Sequence, residues 1–250
     1  MENNTHTQAD NLKDEHKNSA LADYFKEVIY GGIDGIVTTF AVVAGFSGAA
    51  LSNETTTQLS FLVVLLFGLA NLFADAASMG LGNFLSVRSE KDLYFAARRK
   101  EEQELRNATE SEVAETITIM KQKGFTDEQA VQLANIYRTN EEYWLDFMMS
   151  HELEMADPRG ENEVFTGLAT FISFMVFGAV PLLPFMVMSD GEPMVAFQLS
   201  ILGTFAALIA LGLLKWRVIG SKLWSSLTEV VLVGGTAATL AFLVGTFFSI

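Results

Sequence analysis

The sequence contains no cysteine. Disulfides and thiolate metal sites are therefore excluded outright. Proline is scarce, with 4 in 250 residues, so long helices meet few breaks. Basic residues are also in deficit: 16 Lys and Arg stand against 30 Asp and Glu, a formal net charge of −14. A chain this acidic lacks the basic face that nucleic acid requires, and no nucleic-acid partner is expected. The first 20 residues lack the basic start and short apolar core of a signal peptide, and they are neither Arg-rich nor acid-poor. Residues 1–22 read as a disordered N-terminal tail. No alternating strand pattern, no internal repeat and no ATP-binding motif is visible.

What is present is hydrophobicity in long blocks. Half of the residues are hydrophobic. A bilayer core needs about 20 mostly apolar residues per helix. Five segments meet that requirement, at residues 28–51, 59–85, 164–188, 194–214 and 227–250. Pro181 and Pro184 are expected to kink the third. SNETTTQ and SDGEP, which follow the first and third segments, carry no Lys or Arg. By contrast, Arg88, Lys91, Arg98, Arg99 and Lys100 follow the second, and Lys215, Arg217 and Lys222 join the fourth to the fifth. The positive-inside rule then places the N-terminus, the middle region and the second basic loop in the cytoplasm.

The middle region is too polar for lipid, and its punctuation is helical. Thr109-x-x-Glu112 has the form of a capping box, Gly124 of a helix stop, and Thr126-x-x-Gln129 of a second box. Asn140 can cap a third helix, EEYWLDFMMSHELEMA, which stops before Asp157-Pro158. The expected architecture is an all-α membrane protein: five transmembrane helices, with a cytoplasmic helical domain inserted between helices 2 and 3. The segments are a tail at 1–22, helices 1–2 at 23–87, a three-helix domain at 88–162 and helices 3–5 at 163–250. From Asp75 to Glu115 the chain reads as a nearly continuous helical run that joins a polar position in lipid to acidic helices outside it.

Two constellations could carry chemistry. In the middle region Glu101 and Glu104 lie three apart, as do Glu112 and Glu115, so each pair shares a helix face. Two carboxylates side by side are unfavourable unless a positive charge sits between them. Met148 and Met149 stand four and three residues before Glu152, which places a thioether on the same face as that carboxylate. Carboxylates alone suit Mg, Ca or Mn ions, and thioether sulfur shifts the preference toward softer transition ions. A solvated acidic face and core methionines would be the plainer use of the same residues. In the membrane segments, Asp34 and Asp75 are ionisable groups at lipid depth, where such residues mark ion or proton paths. Met79 follows Asp75 by one turn and Asn71 precedes it by one turn, so all can line one wall. Asp23, Glu27 and Asp34 fall at spacings of four and seven, along one helical stripe. Gly31-x-x-x-Gly35 lets another helix approach closely, and with Gly45, Gly48, Gly80 and Gly82 the first two spans look like interface helices that invite a partner; the other use of these glycines is local bending around the site.

Three stretches, YGGIDGIVTTFAVVAGFSGA, ASMGLGNFLSVRSE and WLDFMMSHELE, resemble the vacuolar iron transporter family. The resemblance runs from about residue 23 to the C-terminus. It implies five transmembrane helices, a homodimer with the pore at its interface, and a cytoplasmic three-helix metal-binding domain. It also implies ferrous ion transport coupled to protons. Carried over by motif, the pore residues are Asp34 and Met79, with Asp23 and Glu27 near the entrance. The domain ligands are Glu101, Glu104, Glu112, Glu115, Met148, Met149 and Glu152. One position departs from the pattern: Asn71 stands where the family usually has a glutamate, eight residues before the methionine. Asp75, one turn closer to Met79, is the candidate substitute.

The expected function is a secondary transporter that exports Fe²⁺, with Mn²⁺ and Co²⁺ as further cargo, in exchange for protons. The partners are divalent ions, protons, the lipid bilayer and a second copy. No permanent cofactor is expected. A bacterial inner membrane is preferred, or a vacuolar membrane if the source is eukaryotic. Two other classes compete: a membrane-tethered di-iron carboxylate enzyme such as a ferroxidase, and a metal-sensing or storage scaffold. The enzyme normally needs Glu-x-x-His on bundle helices, and Met148, not Glu, stands three residues before His151. The scaffold gains nothing from a carboxylate in lipid.

Overall fold

The computed structural model describes residues 24–46, 57–188, 193–220 and 222–247. The tail at 1–22, Asp23 and Gly48 lie outside the described residues. The described residues form helices joined by turns and short loops, without a strand. In chain order they form α1 (Tyr24–Phe46), α2 (Thr57–Asn107), α3 (Thr109–Gln122), α4 (Asp127–Tyr137) and α5 (Glu141–His151). They continue as α6 (Glu163–Gly178), α7 (Leu183–Val187), α8 (Pro193–Ile219) and α9 (Leu223–Phe247). Five stretches are long and apolar enough to cross a membrane: Tyr24–Phe46, Leu62–Asn107, Glu163–Val187, Met194–Ile219 and Leu223–Val244.

The chain divides into two compact units, one holding residues up to Phe84 and from Val164 on, the other Leu85–Glu163. The first is the apolar bundle. Phe174, Phe185, Leu182 and Leu72 are fully or almost fully buried at its centre, with Phe40, Val43 and Phe197 around them. α6 enters this core by way of glycine. A Cβ on Gly31 would lie 2.8 Å from the Thr170 carbonyl oxygen, and one on Gly35 would lie 2.6 Å from that of Phe174. Gly80 and Gly167 close the α2–α6 approach in the same manner, at 2.9 and 2.6 Å from each other's carbonyl oxygens. Gly31, Gly35 and Gly80 thus let another helix approach closely, as expected, and that helix is α6 of the same chain. Gly45 and Gly82, however, meet nothing within 4 Å.

The third apolar segment is broken where proline predicts. α6 ends at Gly178, a 3₁₀ turn covers Val180–Leu182, and α7 resumes at Leu183. Proline supplies no N–H to continue the ladder. The carbonyl of Pro181 is satisfied from outside, by the Ser200 hydroxyl of α8 at 2.7 Å.

The second unit packs Tyr94, Leu105, Met120, Trp144, Leu145, Phe147, Met148 and Met149 into one core. Trp144 donates through Nε1 to the buried Thr116 hydroxyl at 2.8 Å, which satisfies the indole where water cannot reach. Two of the expected caps form. Thr126 and Gln129 make a reciprocal capping box, and Asn140 accepts from the Tyr143 N–H. Thr109 does not cap. Only Ala108 separates α2 from α3, so the Thr109 hydroxyl turns back and donates to the Leu105 carbonyl at 2.7 Å. α5 is also shorter than expected and stops at His151, not Ala156. Glu154 takes a left-handed conformation, φ 52°, and Met155 N–H bonds back to the Met149 carbonyl, which ends the helix.

Candidate functional site

In the second unit, three helices each bring one carboxylate to the same point. Glu101 comes from α2, Glu112 from the first turn of α3, and Glu152 caps the C-terminus of α5. One oxygen of each lies within 4.8 Å of the others. Glu101 and Glu112 are buried, at 3% and 6% exposure, while Glu152 closes the cluster from the surface. A buried carboxylate normally gathers hydrogen-bond donors, because desolvating it otherwise costs several kcal/mol (roughly 2–7 for a neutral polar group, more for a charge). Here Glu101 Oε1 and Glu112 Oε2 are buried without any partner. An orphaned, convergent oxygen set of this kind fits a divalent cation.

The charge states agree with that fit. Burial first, then the charges of Glu152, Glu112 and Glu104, pushes Glu101 up to about 7. Burial of its carboxylate, then Glu115 and Glu112, pushes Glu152 up to about 7 as well. Glu112 is raised by burial, then by Glu115 and Glu104. Like charges this close raise one another's pKa, and a cation arriving among them would favour the ionised forms.

The sequence grouped these residues as pairs along single helices. The structure instead selects one member from each pair. Glu104 pairs with Lys100 at 3.1 Å and stays half-exposed. Glu115 is exposed and acts on the cluster by its charge, on both Glu112 and Glu152. Met148 and Met149 are both fully buried in the core, and the Met148 sulfur lies 3.4 Å from the Thr116 hydroxyl. His151 stacks on Phe147 at 4.5 Å between ring centroids.

In the apolar bundle, Asp34 of α1 and Asp75 of α2 are both part-buried and close enough to interact through their charges. Asn71 Nδ2 donates to Asp75 Oδ2 at 2.6 Å. Met79, one turn on, packs against the Phe174 core. Glu27, two turns before Asp34, is buried at 7% exposure. It accepts at Oε2 from Asn83 Nδ2 at 2.5 Å and from the Thr170 hydroxyl at 3.2 Å. Neither Asn83 nor Thr170 was singled out from the sequence. Asn83 carried a signal, as an amide within an apolar helix. Thr170 carried almost none, since threonine is common in such helices and usually bonds its own backbone.

Known proteins match most of the chain. A sequence model of the VIT family matches residues 25–246. The chain is 32% identical over 233 residues to "Vacuolar iron transporter 2" of Oryza sativa subsp. japonica, covering 92% of this chain and 91% of that protein. It is 36% identical over 240 residues to the "Vacuolar iron transporter" of Toxoplasma gondii, covering 93% and 76%. To "Vacuolar iron transporter 1" of Arabidopsis thaliana it is 33% identical over 233 residues, covering 92% and 89%.

Proposed function

Since the chain belongs to the VIT family, we propose that it is a secondary carrier that moves Fe²⁺ out of the cytoplasm in exchange for protons. Mn²⁺ and Co²⁺, ions of similar charge and ligand preference, are further cargo. The protein is a transporter and not an enzyme. The observation that carries the transport reading is the pair Asp34 and Asp75, two interacting carboxylates on helices otherwise apolar enough to span a bilayer. Opposite charge favours the ionised form of a carboxylate, so a divalent cation that arrives at such a group displaces its proton. The same group therefore gives up a proton as it takes up metal, which is the minimal step of an antiporter. The Met79 thioether beside this path accepts Fe²⁺ more readily than Ca²⁺ or Mg²⁺.

The Glu101, Glu112 and Glu152 cluster is read as a cytoplasmic collecting site, with Glu104, Glu115, Met148 and Met149 as its surroundings and reserve ligands. The basic residues that follow α2, and those between α8 and α9, set this orientation by the positive-inside rule. It is the same for a bacterial plasma membrane and for a vacuolar one. The functional unit is read as a two-fold homodimer. Supporting this, α2 leaves a row of small residues uncovered, Ala70, Ala74, Ser78 and Gly82, next to Asp75.

The test is metal flux into proteoliposomes that hold a metal-sensitive dye, with an imposed pH gradient. Wild-type protein should move Fe²⁺ in proportion to the gradient, and Asp34→Asn should abolish flux, because the amide cannot cycle its charge. Flux that ignores the gradient would leave a uniporter or channel. Wild-type flux from Asp34→Asn would remove the central residue of the mechanism.

A further inference from the structure

Glu27 is held in a way that the sequence does not announce. Its carboxylate is buried, and two donors from two different helices converge on the same oxygen, Oε2. Asn83 of α2 spends one amide proton on Glu27 and the other on the Thr170 hydroxyl of α6, at 2.8 Å. Thr170 is itself 1% exposed. Its hydroxyl proton is shared between Glu27 and the Thr166 carbonyl, at 3.2 and 3.0 Å. One turn along α6, the Ser173 hydroxyl donates to the Val28 carbonyl at 2.6 Å, which pins α1 beside Glu27. No donor among the described residues reaches Oε1 of Glu27.

This is more order than solubility or folding asks of an acid at a helix start. An unused carboxylate there could turn to water, as amphipathic side chains near membrane ends do. Instead it is drawn inward and fixed by donors from two other helices. Donors on one oxygen fix the plane of the carboxylate, so the second oxygen has a defined direction. A ligand oxygen whose partner is already satisfied is the arrangement seen when outer groups orient an inner ligand.

We infer that Asn83 and Thr170 are positioning residues, which hold Glu27 by one oxygen so that its other oxygen is preset to receive a divalent cation on its way to Asp34. The inference rests on the transport reading above and adds to it the groups that shape this step. Neither residue touches the ion.

Two substitutions of nearly equal size test it in full-length protein: Thr170→Val removes the hydroxyl and Thr170→Ser keeps it. Asn83→Leu removes both amide donors. In proteoliposomes, Asn83→Leu and Thr170→Val should raise the KM for Fe²⁺ by about tenfold, the usual worth of one hydrogen bond to a charged group. Vmax should stay near wild type, and Thr170→Ser should restore the KM. A second reading does not depend on transport. The carboxylate stretching band of Glu27, isolated as the infrared difference between wild type and Glu27→Gln, should shift in Asn83→Leu and Thr170→Val and return in Thr170→Ser. If wild type moves no iron while the band shifts as stated, the positioning stands and the transport reading fails. An unshifted band, or variants with a wild-type KM, would overturn the inference. Should Asn83→Leu fail to fold, the Thr170 pair decides alone.

Discussion

Asn71 and Asp75 are joined by a 2.6 Å hydrogen bond, amide to carboxylate, one turn apart on α2. The residue that departs from the family pattern is thus not idle, because it orients the acid one turn away. An amide donor on one Asp75 oxygen fixes the plane of the carboxylate. If Asp75 carries the proton-coupling step in place of the glutamate that position 71 lacks, Asp75→Asn should uncouple metal flux from the pH gradient. Asn71→Leu should lower coupled flux by about tenfold, the worth of one hydrogen bond to a charged group, without abolishing it. Simultaneous dye measurements of metal and pH inside proteoliposomes give both numbers. Unchanged proton movement in Asp75→Asn would assign coupling elsewhere.

The three-carboxylate cluster separates residues that the sequence treated alike. Glu112 belongs to the set within 4.8 Å, whereas Glu115 does not. Glu112→Gln should therefore lower divalent-ion affinity by at least the roughly 10–100-fold that loss of an outer-shell partner costs. Glu115→Gln should lower it far less. Calorimetric titration of the detergent-solubilised full chain with Mn²⁺, in an Asp34→Asn background that removes one membrane-depth ligand, makes the comparison. Equal losses would mean that the cluster is not the site.

The same cluster makes the second unit sensitive to pH in a definite direction. Glu101 and Glu152 have folded-state values of about 7, raised by burial first and by their neighbours second from the ordinary glutamate value of 4.5. An unfolded chain loses these protons near 4.5, so folding retains them over the interval between the two values. Their contribution to stability is fully present below 4.5 and is lost as pH rises through about 7. Amide hydrogen-exchange protection of α3 and α5, corrected for intrinsic rates, should be higher at pH 5 than at pH 8 by at least about tenfold, since each pKa unit between the two states is a factor of ten. Saturating Mn²⁺ should remove most of the difference. Protection that rises with pH in the metal-free protein would contradict the assignment.

Two glycines on the first two helices should respond in opposite ways. A Cβ on Gly35 would meet the Phe174 backbone oxygen at 2.6 Å, an atom that cannot step aside as a side chain can. Gly35→Ala should cost about 1–3 kcal/mol, as overpacking does, and lower the thermal midpoint in detergent. Gly82 has open space beside it. Gly82→Ala should leave the midpoint unchanged or slightly higher, because alanine is the better helix former. If that face of α2 meets a second copy, Gly82→Leu should shift the protein from dimer to monomer in size-exclusion light scattering while the protomer stays folded.

The sequence by itself determined the features that depend on neighbours along the chain. Runs of apolar residues set the five spans, because length and hydrophobicity are local properties. Pro181 and Pro184 broke the third span where they stand, since a missing N–H acts within one turn. Thr126 and Asn140 capped α4 and α5 through bonds three residues long. Asp34 and Asp75 were conspicuous as charges in apolar helices. Even local signals failed where a neighbouring helix competed for the same group: Thr109 lost its capping role to the Leu105 carbonyl at the end of α2. Tertiary structure alone decided what depends on distant pairings. It gave Gly31 and Gly35 to α6 of the same chain. It drew Glu101, Glu112 and Glu152 together from three helices and left Glu104 and Glu115 at the margin. It also closed Asn83 and Thr170 on Glu27, across 56 and 143 residues of sequence. Helical spacing reports which residues share a face, but which faces meet is fixed by packing between segments far apart in the chain, and that left no mark in any one of them.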